Sequence, residues 1–350
     1  MHFLVTGHTG FKGSWLSIML SRLGHTVSGL ALDPEPASLF VSARVTDLLS
    51  NDIRSDIRDP AATCDAVSVV QPDVVIHLAA QPLVRESYLR PRETVETNVN
   101  GTLNVLEAST STPSVRALLV VTTDKVYRNV GRVAGYAEDE PLGGEDPYSA
   151  SKAMADILTF AWATSFPTVP TAIGRAGNVI GGGDYSTDRL VPDIVAAFES
   201  GNSVQLRYPE AVRPWQHVAD CLNGYLSIVR DMLRPTSADQ SVQAWNIGPG
   251  PDSFKTVAEL TDTMSRLWDG PSVWEADNAS HPHEAQILAL DATRAHERLG
   301  WSNQLDFAES VAWTVDWYAA VAQGADPLEI TFAQIDAFFE RTNANPLAGV

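Results

Sequence analysis

The sequence predicts an α/β fold in which a doubly wound parallel sheet carries a smaller, mixed C-terminal lobe. Short apolar runs alternate with helical apolar patterns through the first half of the chain. A glycine-rich turn, GHTGFKG at residues 7–13, directly follows the first apolar run. After about residue 180 the alternation gives way to a loop-like GGGDYSTDRL segment and a mixture of short strands and helices. A Rossmann-type sheet of this kind binds ligands beyond the carboxyl ends of its strands, where most motifs of this chain fall.

Each element is predicted from its own pattern. Apolar runs predict sheet strands at residues 3–5, 26–32, 74–77, 117–122 and 169–173. Between the first two runs, an apolar stripe from Trp15 to Leu23 predicts a helix that ends at Gly24. In the second half, helical patterns occupy residues 191–198, 219–232 and 257–267, and short strands are predicted at 204–206 and 244–247.

The length allows one large domain or two fused ones, because 350 residues can bury an extensive core. We expect residues 1–180 to form a dinucleotide-binding domain to which later segments return. Residues 181–341 are expected to form mainly the substrate-binding lobe, interleaved with the first domain. Residues 342–350 are expected to be a loosely held tail.

Composition indicates a soluble globular protein, with 44% apolar and 19% charged residues. The net charge of −19 and the pI near 4.7 argue against a nucleic-acid partner, since phosphate binding relies on a basic surface. A local cationic pocket for an anionic substrate stays open. The two cysteines, Cys64 and Cys221, argue against a disulfide framework and a structural zinc site. The chain begins at a strand, without room for a signal peptide, and no apolar run approaches the roughly 18 residues of a membrane helix, so we expect a cytoplasmic protein.

The glycine-rich turn predicts a dinucleotide site. Gly7, Gly10 and Gly13 have GxxGxxG spacing, with Thr9 and Phe11 between them as further cofactor-binding candidates. The missing side chains let the backbone approach a pyrophosphate, and the following helix presents N–H groups and a positive dipole end. The position of the turn between a predicted strand and a predicted helix strengthens this interpretation.

Two acidic positions are candidates for the other end of the cofactor. Asp33 lies twenty residues after Gly13, at the end of the second predicted strand, where a carboxylate binds ribose hydroxyls and favours NAD over NADP. The alternative role of Asp33, as a turn residue before Pro34, stays open. Asp56 and Ile57 are candidates for the edge and the face of the adenine.

Tyr148 and Lys152 predict a proton-transfer site. Four residues apart on a helix, they share one face. A phenol with a pKa near 10 is a poor base at neutral pH, but a neighbouring ammonium and an oxidised nicotinamide both favour the phenolate. The hydroxyl of Thr123 lies about one βα unit upstream. Together with the glycine turn, these residues predict hydride transfer between a hydroxyl-bearing carbon and a nicotinamide.

The motifs taken together resemble one family nearly from end to end. They are VTGHTGFKGSW, HLAAQPLVRESY, TNVNGTLNVLEA, VTTDKVY, DPYSASK, RAGNVIGGGD, RPWQHV and PHEA. The chain resembles the extended short-chain dehydrogenase/reductases and, within them, the nucleotide-sugar 4,6-dehydratases. The Asp-Lys pair after the threonine of VTTDKVY is most similar to the CDP-glucose 4,6-dehydratase branch, where the dTDP-glucose branch has Asp-Glu.

The resemblance implies a reaction in three stages, on CDP-glucose with NAD as a regenerated cofactor. Tyr148 deprotonates the glucose 4-hydroxyl, held by Thr123, as hydride leaves C4. The 4-ketone acidifies C5, and water is lost across C5 and C6. Asp124 gives its proton to the departing 6-hydroxyl, while Lys125 either accepts the C5 proton or stabilises the enolate. Hydride then returns to C6, which gives CDP-4-keto-6-deoxyglucose.

Binding residues follow from the same resemblance. Asn178 and Arg213 match positions that contact the substrate pyrophosphate, and Trp215 is expected near the nucleotide. Leu78, Ala79 and Ala80 are expected to contact the cofactor. The further substrate-binding candidates are Gln81, Arg85 and Arg189, with Tyr88 at the border of the sugar or nicotinamide. His77 is expected to be a packed side chain rather than a catalyst.

Two alternatives and two further expectations remain. An NAD-dependent nucleotide-sugar epimerase needs Tyr148 and Lys152 but no acid/base pair for water loss, and a catalytically silent NAD-binding partner or sensor protein needs neither.

No metal is expected, because the HPHE segment (His281, His283 and Glu284) lacks helical ligand spacing and a third partner. The resemblance also implies a homodimer or homotetramer, assembled through helices at 94–108 and 149–163. The apolar stripe for that pairing, which would equally serve the core of one subunit, consists of Val95, Val99, Leu103 and Leu106.

Overall fold

A computed structural model describes residues 1–234, 242–268, 274–277, 287–342 and 345–350. The strands are β1 His2–Thr6, β2 Thr26–Ala31, β3 Asn51–Arg54, β4 Val74–His77, β5 Ala117–Thr123, β6 Thr171–Ala176, β7 Val179–Ile180, β8 Val204–Leu206, β9 Val212–Pro214, β10 Gln216–His217, β11 Gln243–Ile247, β12 Phe254–Thr256 and β13 Trp274–Ala276. The helices are α1 Phe11–Arg22, α2 Leu39–Ser42, α3 Pro60–Val70, α4 Val84–Leu89, α5 Pro91–Val95, α6 Gly101–Thr110, α7 Pro147–Ser165, α8 Leu190–Ser200, α9 Val218–Leu233, α10 Val257–Trp268, α11 Phe307–Ala322 and α12 Pro327–Thr342.

A seven-stranded parallel sheet is the centre of the fold, with the strand order β11-β6-β5-β4-β1-β2-β3. The predicted doubly wound α/β fold is therefore confirmed. The order reverses between β1 and β4, where a doubly wound sheet opens a crevice for its ligand. The Gly7 turn leaves β1 at this point.

Successive residues of β5 show how both faces of the sheet are covered. Leu119 and Val121 pack into the cluster that contains α1, α9 and α11, whereas Leu118 and Val120 pack into the cluster that contains α3 and α6. Side chains alternate between the faces of a strand, so a strand buried on both faces reads as a continuous apolar run. This burial is why the β5 run is so clear in the sequence.

In the large sheet, the strand predictions differ from the structure by more than one residue at two places, and the short strands β7, β9, β10, β12 and β13 are not predicted. β6 begins at Thr171 rather than at residue 169, because Pro170 has no N–H to donate to the sheet, and it continues to Ala176 through polar Arg175. β3 is an edge strand in which Ile53 is the single apolar residue, so it has no apolar run that predicts it.

The predicted helix at 94–108 is not one continuous α-helix. α5 leads into a π-helical turn, Glu96–Asn100, and then into α6. The turn carries Asn98, which is 1% exposed and donates a hydrogen bond from its side-chain amide to the hydroxyl of Ser151 on α7 (2.8 Å). Short π turns inside helices are frequent at functional sites, and this one fastens α7 to its neighbour.

The second half of the chain is interleaved with the first. β11 returns to the large sheet beside β6, and the remaining strands form the pairs β7–β10, β9–β12 and β8–β13. The division at residue 180 into two domains stays a prediction. In the segment expected to be a loosely held tail, Leu347 is 3% exposed and packs into the main core, and the tail itself stays a prediction. In the described part of the chain, no helix has the length and apolar character required to cross a membrane.

Candidate active site

The glycine turn is built by close backbone packing. Gly7 has φ +74°, and a β-carbon there would lie 2.7 Å from the backbone nitrogen of Ala79. A β-carbon at Gly13 would lie 2.1 Å from the carbonyl oxygen of Gly7. Side chains at both positions are therefore excluded, and α1 starts directly beneath the turn.

Gly10 leaves the N-terminus of α1 accessible. It is the N-cap residue, without a side-chain cap, and a β-carbon there would meet only the Gly7 carbonyl oxygen, at an ordinary 3.5 Å. The N–H groups of the first helical turn have no partners within the helix, and together with the helix dipole they form an anion site. The glycine turn thus fits a dinucleotide pyrophosphate.

The adenosine candidates lie near the ends of β2 and β3. Asp33 is exposed just beyond β2. Asp56 forms an ion pair with Arg58 (2.5 Å), and this hydrogen bond lowers the pKa of the Asp56 carboxyl. Ile57 is 4% exposed, and it fills the space left by the missing side chain of Gly101. The Ile57 side chain therefore also has a packing role.

His8 is a further residue of the turn that no motif singles out for a role. It is fully buried, its Nε2 is 2.8 Å from Oδ1 of Asp52, and its ring occupies the space over Gly29. Burial lowers the pKa of the imidazole despite Asp52.

The loop after β4 carries three cofactor-binding candidates. Leu78 and Ala80 line the cleft, while Ala79 donates its backbone N–H to the hydroxyl of Thr6 (3.2 Å).

Tyr148 and Lys152 lie on the first two turns of α7. The helix begins with Pro147 at its first position, and Asp146 accepts a hydrogen bond from the backbone N–H of Ser149 (2.9 Å). Tyr148 is 9% exposed and Lys152 is 7% exposed. The ammonium of Lys152 donates to the carbonyl of Val121 on β5 (2.9 Å), which ties the helix to the sheet.

Thr123 connects Tyr148 to the acid/base pair. Its hydroxyl donates to Oδ1 of Asp124 (2.8 Å), and its interaction with the phenol of Tyr148 acts to lower the pKa of that phenol. The side-chain oxygen of Thr123 also accepts the backbone N–H of Lys125 (3.4 Å), which fixes the 3₁₀ turn Asp124–Val126 at the end of β5. The predicted catalytic residues therefore come together at one place.

Burial sets the electrostatics of this cluster. It raises the pKa of Tyr148 to about 12, although the hydrogen bond with Thr123 acts in the opposite direction. It lowers the pKa of Lys152 to about 7; the charge of Lys12 lowers it further, and Asp156 opposes the shift. Without cofactor, both groups thus favour their neutral forms more than they do in water.

Asp124 has the environment of a proton donor. It is 3% exposed, and burial raises the pKa of its carboxyl despite the nearby charges of Lys125 and Arg213. Gly177 leaves the space that the carboxyl needs. Lys125 is only partly buried and borders the same cleft.

A cleft of about 330 Å³ opens in front of these groups. It is lined by residues of both halves of the chain. They include the five predicted catalytic residues and Arg85, Asn178, Arg189, Arg207, Tyr208, Arg213 and Trp215. All four of these arginines have protein partners. Arg85 and Arg207 pair with Asp188 (2.6 Å and 3.6 Å), Arg189 pairs with Asp184 (3.5 Å), and Arg213 donates to the carbonyl of Val212 (2.9 Å).

Gln81 does not belong to this lining, and its expected role in substrate binding stays a prediction. Its side-chain nitrogen donates to the hydroxyl of Thr94 (2.8 Å) and to the carbonyl of Leu83 (3.1 Å), and its side-chain oxygen accepts the N–H of Leu83 (2.5 Å). These bonds shape the loop after β4. A glutamine near a sugar site is chemically suited to bind the sugar, so the sequence does not indicate this local role. Only the fold reveals it.

Other candidates have structural roles or lie outside the cleft. His77 is buried between the hydroxyls of Thr6 (2.7 Å) and Thr102 (3.0 Å), as expected of a packed histidine. Tyr88 borders a separate cavity of about 180 Å³. His281, His283 and Glu284 lie outside the described residues. Among the residues that are described, no group of three or more His, Cys, Asp or Glu side chains is arranged to hold a metal ion.

Lys12 lines the cleft without being predicted. It follows Phe11 inside the glycine turn, donates to the hydroxyl of Tyr225 (3.1 Å), and has its pKa lowered by burial. Its position inside a phosphate-binding motif is the signal that would have identified it. Arg207 and Tyr208 follow β8 and carry no such signal, because their approach to the cleft depends on the tertiary fold.

Comparison with known proteins identifies the family of this chain. The sequence profile described as GDP-mannose 4,6 dehydratase matches residues 4–314. This chain belongs to that family. It is 42% identical to a CDP-glucose 4,6-dehydratase of Salmonella typhimurium, over 97% of this chain and 96% of the relative. It is 31% identical to a dTDP-glucose 4,6-dehydratase of Streptomyces griseus, over 93% of this chain and 97% of the relative.

Solved structures of dehydratases and epimerases share the fold. The structure of DesIV, a dTDP-glucose 4,6-dehydratase from Streptomyces venezuelae with NAD bound, is similar with a TM-score of 0.78 and 26% identity, over 94% of this chain and 100% of that one. A UDP-glucose 4-epimerase from Thermotoga maritima has a TM-score of 0.79 and 23% identity, over 92% and 100%. The expected membership among nucleotide-sugar 4,6-dehydratases of the extended short-chain type is confirmed.

Proposed function

We propose that this chain is a hydro-lyase that removes water from CDP-glucose to give CDP-4-keto-6-deoxyglucose, with NAD as a regenerated cofactor. The observation that carries the proposal is the buried carboxyl of Asp124, hydrogen-bonded to Thr123 in the cleft that Tyr148 and Lys152 also line. A 4-epimerase does not need this group. The similarity to the Salmonella typhimurium CDP-glucose 4,6-dehydratase supports the same substrate.

The cofactor fits the chain through its glycine turn. Gly10 and the N-terminus of α1 would hold the pyrophosphate, Asp33 the ribose hydroxyls, and Leu78 and Ala80 would border the nicotinamide end. When bound, NAD would supply hydride transfer, first from C4 of the sugar and then back to C6. The role of the protein is to hold the sugar, move its protons and exclude water.

Proton removal from the 4-hydroxyl is assigned to Tyr148. Its pKa of about 12 without cofactor is too high for a base at neutral pH. A positively charged nicotinamide and the protonated form of Lys152 would both stabilise the phenolate. Thr123, which lines the cleft with Tyr148, is assigned to hold the same 4-hydroxyl.

Loss of water is assigned to the turn after β5. Burial raises the pKa of Asp124, and this shift favours the protonated carboxyl that the departing 6-hydroxyl requires. Lys125 is assigned to C5, where it accepts the proton or stabilises the enolate. Lys125→Arg separates these roles, since arginine keeps the charge but does not act as a base at neutral pH. Retained activity would indicate stabilisation, and lost activity would indicate a base.

The substrate pyrophosphate is assigned to Arg213, with Asn178 and Arg189 beside it in the cleft. Guanidinium groups bind phosphate oxygens in a bidentate manner. Arg85 belongs to the mouth of the cleft, where it is paired with Asp188.

The test is incubation of the purified protein with CDP-glucose, dTDP-glucose, GDP-mannose and UDP-glucose in separate reactions. Water loss from CDP-glucose alone, followed by mass spectrometry, would support the whole proposal. Water loss from another nucleotide sugar would keep the reaction and change the substrate. An epimer of unchanged mass that Asp124→Asn still forms would indicate the epimerase, and NAD binding without sugar binding would indicate a catalytically silent protein.

We also propose a homodimer or homotetramer that works in the cytoplasm, where NAD and nucleotide sugars are available. Met154, Ile157 and Phe160 form an apolar stripe on α7 and are 40%, 55% and 54% exposed. Val95, Val99 and Leu103 are partly exposed on the neighbouring helix, whereas Leu106 is buried in the core of the subunit. Burial of such a stripe against a second copy is favourable.

A further inference from the structure

Arg175 is the centre of a buried polar cluster behind the active site. Its guanidinium donates to Asp156 from Nε (2.8 Å) and Nη2 (2.7 Å). Its Nη1 donates to the hydroxyl oxygen of Tyr127 (2.7 Å) and to the carbonyl of Glu138 (2.9 Å). Arg175 is 4% exposed. A planar guanidinium with bidentate contacts fixes the direction as well as the distance of its partners.

The Asp156 side of this cluster holds the catalytic helix. Asp156 is four residues after Lys152 and eight after Tyr148, so the three side chains share one face of α7. Both oxygens of Asp156 bind Arg175, and Oδ2 also accepts the hydroxyl of Thr122 on β5 (3.0 Å). The face that carries the proton-transfer pair is thus fastened to β5 and β6.

The Tyr127 side holds the turn that carries the acid/base pair. Tyr127 is two residues after Lys125, is 1% exposed, and donates its backbone N–H to the carbonyl of Asp124 (3.3 Å). Its hydroxyl accepts from Arg175 and donates to Oδ1 of Asn246 on β11 (2.7 Å). The end of the turn is therefore fixed to the same guanidinium as the helix.

We propose that Arg175 is a positioning residue that sets Asp124 and Lys125 relative to Tyr148 and Lys152, with Tyr127 as its link to the turn. This inference rests on the proposed dehydration, in which one sugar must meet both pairs in succession. A misplacement of about 1 Å can slow an enzymatic step by roughly 100-fold. Two pairs on separate elements therefore need a common support.

Tyr127→Phe tests the link, because it removes one hydroxyl and leaves the Arg175–Asp156 pair intact. Tyr136→Phe is the matched control. Tyr136 stacks on Tyr127 with ring centroids 5.4 Å apart and is also buried, but its hydroxyl binds Asn129 and the N–H of Val130. Both changes delete a hydroxyl from the same aromatic cluster, and only one of them touches Arg175.

With CDP-glucose, Tyr127→Phe is expected to slow water loss about ten-fold while oxidation at C4 continues. Reduced nicotinamide, seen by its absorbance, should then accumulate during turnover. Tyr136→Phe should behave as the unchanged protein. Equal slowing of both steps without such accumulation, or the same effect in both variants, would overturn the proposal. The unchanged protein tests the proposed function separately, since it must first dehydrate the substrate.

Amide hydrogen exchange tests the positioning without any substrate. Tyr127→Phe should speed exchange several-fold in peptides that contain residues 124–128 and leave α7 unchanged. Arg175→Lys, which keeps the positive charge but loses the bidentate geometry, should speed exchange in both segments. Unchanged exchange at 124–128 in both variants would overturn the proposal, whatever the catalytic result.

Discussion

Gly177 leaves the space that the carboxyl of Asp124 occupies. A β-carbon at Gly177 would lie 3.1 Å from Oδ2 of Asp124, closer than an ordinary contact. Gly177, which directly follows β6, thus affects the position of the Asp124 carboxyl at the end of β5. Both residues line the cleft.

Gly177→Ala is therefore expected to displace the Asp124 carboxyl and slow water loss about ten-fold, with oxidation at C4 less affected. Rates of water loss, measured by mass spectrometry, check this expectation. Gly250→Ala is the control, because a β-carbon there meets no atom within 4 Å and the backbone φ is −68°. An unchanged rate in Gly177→Ala would contradict the assigned role of Asp124.

Two glycines of the cofactor turn should respond differently to alanine. Gly10→Ala has room in the protein itself but places a methyl group where a pyrophosphate must approach, so NAD binding should weaken at least about ten-fold at unchanged thermal stability. The added methyl group of Gly13→Ala collides with the backbone of Gly7 and His8, so this change should lower both the affinity for NAD and the thermal stability. Calorimetric titration and thermal unfolding without NAD measure the two effects. Normal binding by Gly10→Ala would exclude the turn as the pyrophosphate site.

Asp220 should make stability depend on pH. It is buried on α9, where it accepts the backbone N–H groups of Gln304 (2.7 Å) and Leu305 (3.1 Å), and burial raises its pKa to about 7 from 3.8. Between these values the folded protein holds a proton that the unfolded chain has lost. This contribution to stability is therefore complete at low pH and is lost as pH rises, by at most about 1.4 kcal/mol per pH unit.

Asp220→Asn should flatten that part of the stability profile, because the amide does not ionise. Urea unfolding at several pH values between 4 and 7 measures the slope. A variant with the slope of the unchanged protein would show that Asp220 does not titrate in this range.

The exposed stripe on α7 should control assembly. Ile157→Glu places a charge in the centre of the stripe and is expected to give monomers, because burying an unpaired carboxylate is unfavourable. Light scattering checks the mass. Val69→Glu is the control, since Val69 is 75% exposed on α3, away from α7. Monomers of the unchanged protein at all concentrations would contradict the proposed oligomer.

The strands of the core and the candidate reacting residues can be identified from the sequence because their signals are local. Val74–His77 and the apolar run that begins at Ala117 are buried on both faces, and the glycine turn and Tyr148–Lys152 depend on spacing along one element. β3 is not predictable in this way, because an edge strand with one apolar residue owes its conformation to pairing with β2.

The sequence by itself determined the class of the fold and predicted the candidate cofactor turn and the candidate reacting side chains, since these depend on residue type and short-range spacing. Only the tertiary structure decided that Gln81 supports its own loop, that Lys12 and Arg207 reach the cleft, and that Arg175 joins two catalytic elements. Tyr127 and Asp156 lie 48 and 19 residues from Arg175 along the chain. Contacts at such separations arise from the packing of β5, β6 and α7 against one another, and no local pattern records them.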